Sequence, residues 1–525
     1  MTQEEYKLKD LTSLLDLEEL GKVEAEVEGI EGGKVLVVKV QGEVHALNAN
    51  SCFSSRTGDV EDAPAPYALN KFDLVEKDGG VYVRGKEADI KAGKRVIGGG
   101  RKVVVAARNE QKLVIVGGGS GAFGALLRLR ELGYEGKITV LTNEEGGLPI
   151  DRTKLSKALI TDVSKLYLQP QEWYDDGAID IQSDTTVTAV DFKAKVVKTQ
   201  SGRTFPYTKL ILASGGTPKR LPLPGFKDLE NIFVIRRVSD VQAIVAAKNI
   251  VIIGTSFIGM EAANALAKDN NVSLVGMEDA PLERVMGKQV GQIFQTILEK
   301  NGAKFYLGAS VDSAVPAPEP EQEEHRGGDN GRRRVVGAVK LKDGTELKAD
   351  LVILGVGVNP ATEYLRGNPD ISLEKDGNVY AIGDIATYPY SGPGGNNTPV
   401  RIEHWNVAQN AGRRVGQLIA AQSSPSSTEL PEPDPPFIPI FWSALGSQLR
   451  YAGATPNGYD DLVIKGDPAN GKFAAYYTKG QEVVAVASMG MDPVVVQAAE
   501  LLRTGKMPTK AEIEGGQDPL LKSLL

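Results

Sequence analysis

Cysteine is nearly missing from this 525-residue chain, which holds Cys52 and no other. An intrachain disulfide, a CxxC redox pair and a four-cysteine metal site are therefore excluded. Histidine is almost as scarce: His45, His325 and His404 lie far apart and show no metal-ligand spacing. No apolar run approaches the ~18 residues that a spanning helix needs. Positive charge is not in excess either. Sixty Lys and Arg stand against 68 Asp and Glu, a formal net charge of −8, so no basic footprint argues for nucleic acid. The opening residues, MTQEEYKLKD, lack both a basic-then-apolar signal and the Arg-rich character of a transit peptide. The cytoplasm is the expected compartment.

Glycine is what the chain has in plenty: 59 residues, above the usual share of about 7% and in keeping with an α/β protein built on several Gly-rich turns. The length suggests about three or four domains. The organising stretch is Lys112 to Ala125, KLVIVGGGSGAFGA. Leu113–Val116 reads as a buried strand, Gly117 to Ala122 as a tight turn, and Ala125–Leu132 as a helix. Strand, glycine turn, helix is the order of a dinucleotide-binding unit. Gly117 permits the turn, Gly119 lets backbone approach a pyrophosphate, and Ala122 lets helix pack close on strand. Phosphates would sit at the helix N-terminus, where unpaired N–H groups favour negative charge.

The pattern recurs at Asn249–Glu261, NIVIIGTSFIGME, where Gly254 and Gly259 keep two glycine positions and Ser256 takes the middle one. Ser256 should hinder a pyrophosphate only slightly. Two such units imply an electron-transfer enzyme holding two dinucleotides. Acids that can reach an adenosine ribose follow each second strand: Glu144 and Glu145 after Lys137–Leu141, and Glu278 after Val272–Val275. A solvated acidic turn is the plainer alternative for the first pair. Gly276 stands where an NAD-selective acid would, which leaves NADP open, with Arg284 as the nearby arginine.

Further apolar strands end in small or acidic residues: Lys209–Leu212 before Ala-Ser-Gly-Gly, Asp350–Leu354 before Gly-Val-Gly, and Val379–Ile382 before Gly383-Asp384. Such strand ends let backbone pass close to a ligand. Val311 to Arg334 reads as a surface insertion without structure of its own, and Ser423 to Pro436 as a linker. Residues from Phe437 onward alternate strands and end in a helix, an α+β unit. Residues 1–100 carry short strands at Lys34–Val40, Glu43–Leu47 and Gly80–Arg84, a small all-β domain.

Taken in order, LPIDRTKLSK, IIGTSFIGMEAA, YAIGDIA, EHW and FWSALG resemble the two-dinucleotide flavoprotein reductases of the apoptosis-inducing-factor-like and ferredoxin-reductase-like branch. The N-terminal stretches GKVLVVKVQGEVHAL, SCFSSRTGDVEDAPAP and KFDLVEKDGGVYVRG resemble a Rieske domain and narrow the likeness to the Rieske-containing members. A Rieske centre needs two Cys and two His ligands. His45 and Cys52 fall on non-ligand positions of the pattern, so no 2Fe–2S cluster is expected. The family also has a further strand pair before the GD strand, which residues 371–378 replace with a short run. The strand presenting Asp384 would lose a neighbour.

The resemblance implies a multidomain α/β fold with two Rossmann-like domains. Residues 1–100 would be the Rieske-like β domain, 110–235 with 350–421 the FAD domain, 236–349 the NAD(P)H domain, and 437–525 a C-terminal α+β domain covering the flavin. It implies Glu144 as the FAD ribose acid, Arg152 and Lys157 along the flavin, and Asp384 as the ribitol-binding carboxylate. It places Phe257 and Glu261 near nicotinamide and flavin, Lys157 and Glu261 as an ion pair beside flavin N5, His404 and Trp405 on a cofactor-facing segment, and Trp442 near the isoalloxazine. The Lys157–Glu261 pair could equally bridge two domains, and Trp442 could be ordinary core. No metal site is implied. The implied function is an FAD-dependent NAD(P)H oxidoreductase. With no cysteine pair, its electrons must go to a quinone, oxygen or a separate iron–sulfur protein. The rival is a signalling or binding protein of the same fold with weak or no turnover.

Overall fold

The computed structural model describes residues 4–9, 11–18, 22–40, 43–47, 68–92, 95, 110–144, 147–245, 247–318, 334–366, 377–423, 437–446 and 448–517. Glu145, Cys52, His325, the Rieske-like stretch 51–66 and most of the 371–378 run lie outside them.

The N-terminal unit is a six-stranded antiparallel sheet. Its spatial order is Glu4–Lys7, Gly80–Gly85, Lys71–Lys77, Glu43–Leu47, Lys34–Val40 and Lys22–Glu26. Alternation in the strands puts Val35, Val37, Ala46, Phe72, Val81 and Val83 on one buried face.

Two parallel sheets of five strands follow, each read as a near-continuous apolar run because both faces are covered. The first is ordered Val379–Ala381, Lys209–Leu212, Lys112–Val116, Lys137–Leu141, Ile179–Gln182. The second is ordered Ile232–Phe233, Leu351–Leu354, Asn249–Ile253, Asn271–Val275, Lys304–Tyr306. It takes strands from just outside residues 236–349 on both sides, because Leu351–Leu354 pairs with Asn249–Ile253 and Ile232–Phe233 then adds to its free edge. In each sheet the strand before the glycine turn has its successor on one side and a later strand on the other. That reversal of order opens a crevice at the strands' carboxyl ends.

Gly117 and Gly254, both at positive φ (106° and 101°), sit at these two reversal points. A Cβ on Gly117 would run into the carbonyl of Ala213, and one on Gly254 into that of Gly355. Only glycine lets the neighbouring strand ends approach so closely. The strand presenting Asp384 keeps Lys209–Leu212 as its parallel neighbour, at the edge of the first sheet.

The helix after the first turn spans Ser120–Glu131, starting earlier than the sequence pattern predicts. It packs against the Trp405–Ser423 helix backbone to backbone. A Cβ on Gly412 would strike the carbonyl of Gly121, and one on Gly124 that of Gln409. Val311–Pro316 corrects another expectation. It is a strand paired antiparallel with Val336–Leu341 rather than part of a structureless insertion. A register shift between Val311 and Ser313 breaks the alternation, so that Val311 and Ala314, three residues apart, are both buried.

The C-terminal unit is a five-stranded antiparallel sheet ordered Ile440–Ala444, Gln448–Gly453, Glu482–Met489, Lys472–Lys479, Asp461–Asp467. The Val494–Thr504 helix covers one face through Val495, Ala498 and Leu502. The other face shares a core with the second nucleotide unit, in which Phe441, Tyr451 and Tyr477 join Ile252, Met260 and Phe294. Among the described residues no helix is long and apolar enough to cross a membrane, and no group of acidic, His or Cys side chains could hold a metal ion.

Candidate active site

A cleft of about 940 Å³ runs from the first glycine turn to the start of the C-terminal sheet, at the upper end of ligand-pocket sizes of about 300–1,000 Å³. It brings together Gly117, Gly119, Glu144, Arg152, Lys157, Phe257, Glu261, Asp384, His404, Trp405 and Trp442, residues spread over more than half the sequence. Ala122, Gly254, Gly259 and Glu278 do not line it. Ala122 lies on the buried face of the Ser120–Glu131 helix, and the other three belong to the second glycine turn and the strand end beside it.

At one end, Gly119 precedes the Ser120–Glu131 helix and supplies no side-chain cap. A Cβ on Gly119 would meet nothing within 4 Å, in contrast to Gly117. Gly119, Ser120 and Gly121 line the cleft, so the start of the helix and the positive end of its macrodipole lie at the cleft wall. Glu144 forms an ion pair with Arg152 nearby. Arg236, which the sequence reading missed, adds a cation. Burial pushes its guanidinium down to about 10, with Arg152 as the next cause. Its backbone N–H and that of Arg237 donate to Asp240 at 3.1 and 2.9 Å, fixing the entry to the Val238–Ile244 helix. That helix-start pattern was the signal available in the sequence.

Asp384 lies in the middle of the cleft. Burial first, then the Glu403 carboxylate, raises its pKa above the ordinary value, with Arg236, Arg401 and Arg152 acting against the rise. A half-buried carboxyl held this way can accept hydrogen bonds from hydroxyl groups.

At the other end stands the Lys157–Glu261 pair, Nζ to Oε1 3.0 Å, with Glu261 only 4% exposed. Glu261 lies one turn after Phe257, so both share one face of the Phe257–Leu266 helix. Its carboxylate also accepts from Ser156 Oγ at 2.6 Å and from Ser443 Oγ at 2.5 Å. Ser156 comes from the first nucleotide unit, Glu261 from the second and Ser443 from the C-terminal sheet. Neither serine is flagged by any motif, since each gains its role through contacts 105 and 182 residues away in sequence. With every donor supplied, Glu261 holds the ammonium of Lys157 at the cleft wall.

His404 packs against Phe441 and Trp442, ring centroids 5.0 and 5.8 Å away. Nδ1 accepts from the Asn406 N–H at 3.2 Å, so Nε2 carries the proton and faces the Trp442 carbonyl at 3.4 Å. Burial, and then the Lys157 ammonium, push its pKa down to about 3, leaving it neutral at ordinary pH. In the second turn, Ser256 Oγ donates to Gly355 O at 2.8 Å, so the hydroxyl is turned back to the strand end.

The family model for pyridine nucleotide-disulphide oxidoreductases matches residues 111–412, more than half of the chain. The chain belongs to that family. A reductase C-terminal model matches residues 440–525. Apoptosis-inducing factor 3 of Homo sapiens is 34% identical over 92% of this chain and 82% of its own length. Rhodocoxin reductase of Rhodococcus erythropolis is 30% identical over 76% of this chain and 91% of its own. Among solved structures, the covalent putidaredoxin reductase–putidaredoxin complex superposes with a TM-score of 0.68 at 26% identity, over 78% of this chain and 97% of the other. The protein is thus an apoptosis-inducing-factor-like NAD(P)H oxidoreductase with FAD and NAD(P)H as cofactors.

The cleft fits FAD. The helix start at the cleft wall and the Arg236 guanidinium suit a pyrophosphate, and Asp384 suits a polyol chain.

Proposed function

We propose that this pyridine nucleotide-disulphide oxidoreductase family member takes hydride from NAD(P)H onto FAD in the cleft and passes the electrons to an iron–sulfur protein of the ferredoxin type. The observation that carries the reading is the Lys157–Glu261 pair, locked by Ser156 and Ser443 where three units meet. The names of the relatives point the same way. Rubredoxin reductase and ferredoxin reductases stand beside the putidaredoxin reductase complex. The family's dithiol chemistry is closed to this chain, because Cys52 has no partner cysteine within it.

FAD would be held by the Gly117–Gly119 turn and Arg236 at its pyrophosphate, by Glu144 at its adenosine ribose, and by Asp384 at its ribityl hydroxyls. Bound FAD supplies a ring that accepts a hydride and releases electrons singly. The chain's residues do the rest. Lys157, fixed by Glu261, offers positive charge where negative charge gathers on reduction, and needs no reorganisation to do so. Neutral His404 adds no competing charge beside Lys157. Phe257, Phe441 and Trp442 wall that end with apolar surface and exclude water.

The test is anaerobic mixing of FAD-loaded protein with NADH or NADPH. The flavin bands bleach in the natural protein, and in Lys157→Ala they bleach about 10- to 100-fold more slowly while flavin stays bound. An unchanged rate in the variant, or no bleaching with either nucleotide, would sink the reading.

A further inference from the structure

The Glu283–Lys300 helix of the second nucleotide unit is broken inside. Gly287 stands at φ 77° and ψ 162°, so the ladder of helix bonds is interrupted and a short stub, Glu283–Met286, precedes the longer helix. The break is filled from the C-terminal sheet. Tyr477 Oη donates to the Met286 carbonyl at 2.8 Å, and both residues are fully buried. A carbonyl at a helix break, shut away from water, costs free energy unless a donor reaches it. Burial raises the Tyr477 phenol well above its ordinary pKa, so it keeps the proton that it donates. Tyr459 closes the other side. A Cβ on Gly287 would lie 2.0 Å from the Tyr459 hydroxyl oxygen, and the Tyr459 ring meets that of Tyr477 edge-on at 5.1 Å.

The stub leads directly to the second glycine turn. The N–H groups of Met286 and Val285 donate to Leu282 O at 2.8 and 3.0 Å, and the Leu282 N–H donates to the Thr255 carbonyl at 3.0 Å. Thr255 follows Gly254, the glycine at the reversal point of the sheet. Leu282 is buried in the left-handed region at φ 57°, a conformation that leucine keeps only where its surroundings hold it. Within the unit, the Ala280 N–H donates to the Glu283 carboxylate at 2.9 Å. The Pro281 carbonyl packs on Gly291, where a Cβ would come within 2.2 Å of it. Tyr477 supplies the hold from outside the unit.

We propose that Tyr477 is a positioning residue for the second nucleotide: its hydrogen bond to Met286 fixes the Glu283–Met286 stub, and the stub fixes, through Leu282, the turn that receives the NAD(P)H pyrophosphate. The inference rests on the proposed function of the second unit. It makes nucleotide binding and the order of the C-terminal sheet mutually dependent, since coupling between two sites is reciprocal.

Two measurements on the FAD-loaded full chain test it. Tyr477→Phe removes one oxygen and keeps the ring. In calorimetric titrations with NAD+ and NADP+, the tighter of the two should bind about threefold or more weakly to the variant. KM for its reduced form should rise by the same factor, while kcat stays within about twofold. Tyr476→Phe makes the same deletion on the opposite face of the strand and should leave both constants within about twofold. Weakening below that threefold, a fall in kcat with KM unchanged, or an equal loss in Tyr476→Phe overturns the proposal. The second measurement uses the natural protein and does not depend on the variant folding. Saturating nucleotide should slow amide hydrogen exchange both in residues 282–287 and in the Lys472–Lys479 strand. Protection confined to the glycine turn overturns the proposal. If neither reduced nucleotide bleaches the flavin but Tyr477→Phe still weakens binding, the proposed function fails and the positioning role stands.

Discussion

Single side chains in the cleft trade stability for function, and their protonation states make the trade measurable. Asp384 has a raised pKa, so its charged form is disfavoured by the fold and costs stability above the ordinary carboxylate range. Asp384→Asn should therefore raise the thermal stability of the ligand-free protein at pH 7, yet weaken FAD binding about tenfold or more, which a fluorescence titration reads. His404 works in the other direction. Its folded pKa is depressed from 6.5 to about 3, so the unfolded chain takes up its proton first as pH falls. The stability it permits is complete above pH 6.5 and is lost as pH drops towards 3, at a slope of at most about 1.4 kcal/mol per pH unit. Melting curves from pH 7 to 5 should fall less steeply in His404→Gln than in the natural protein. Equal slopes would show that the ring is not buried neutral.

At the scale of elements, the first glycine turn depends on the helix behind it. Ser120–Glu131 and Trp405–Ser423 touch through Gly121, Gly124 and Gly412, with no room for a Cβ at Gly412 or Gly124. Gly412→Ala should force the helices apart at a cost of about 1–3 kcal/mol or more, and should loosen FAD binding, because the displaced helix carries the N–H groups proposed to hold the pyrophosphate. Chemical denaturation with and without FAD checks both effects. Full stability in the variant would contradict the close packing.

The turn itself was legible in the sequence, because an apolar strand running into Gly117-Gly118-Gly119 has few other uses. The helix start was not. Ser120 and Gly121 are poor helix formers, and tertiary packing against Gly412 overrides their preference. Val311–Pro316 was hidden for a similar reason, since its partner strand lies beyond residues that look like loop. Ser156 and Ser443 carry no motif, and Arg236 is marked only by the helix start that follows it; the place of all three at the cleft follows from the folded arrangement.

For the molecule as a whole, the arrangement makes one site out of three units. In the proposed function each parallel sheet holds one dinucleotide at its reversal point; the C-terminal sheet closes the junction through Ser443, Phe441 and Trp442. The shared core between that sheet and the second unit fixes the closing wall in place. Sequence order alone signals two nucleotide units, because the glycine pattern occurs twice. The pairing of Lys157 with Glu261, from different units, is implied by the resemblance and is present, but the hold of Ser156 and Ser443 on Glu261 is not signalled. With a single cysteine in the chain, the proposed function rests above all on outward electron transfer to a separate acceptor. The direct measurement is anaerobic double mixing: FAD-loaded protein with one equivalent of reduced nicotinamide nucleotide, then with oxidised [2Fe–2S] ferredoxin. The flavin bands are expected to bleach in the first step and to return in the second as the ferredoxin becomes reduced. Flavin that stays oxidised in the presence of both nucleotides, or that bleaches and then never passes electrons to the iron–sulfur protein, would contradict it.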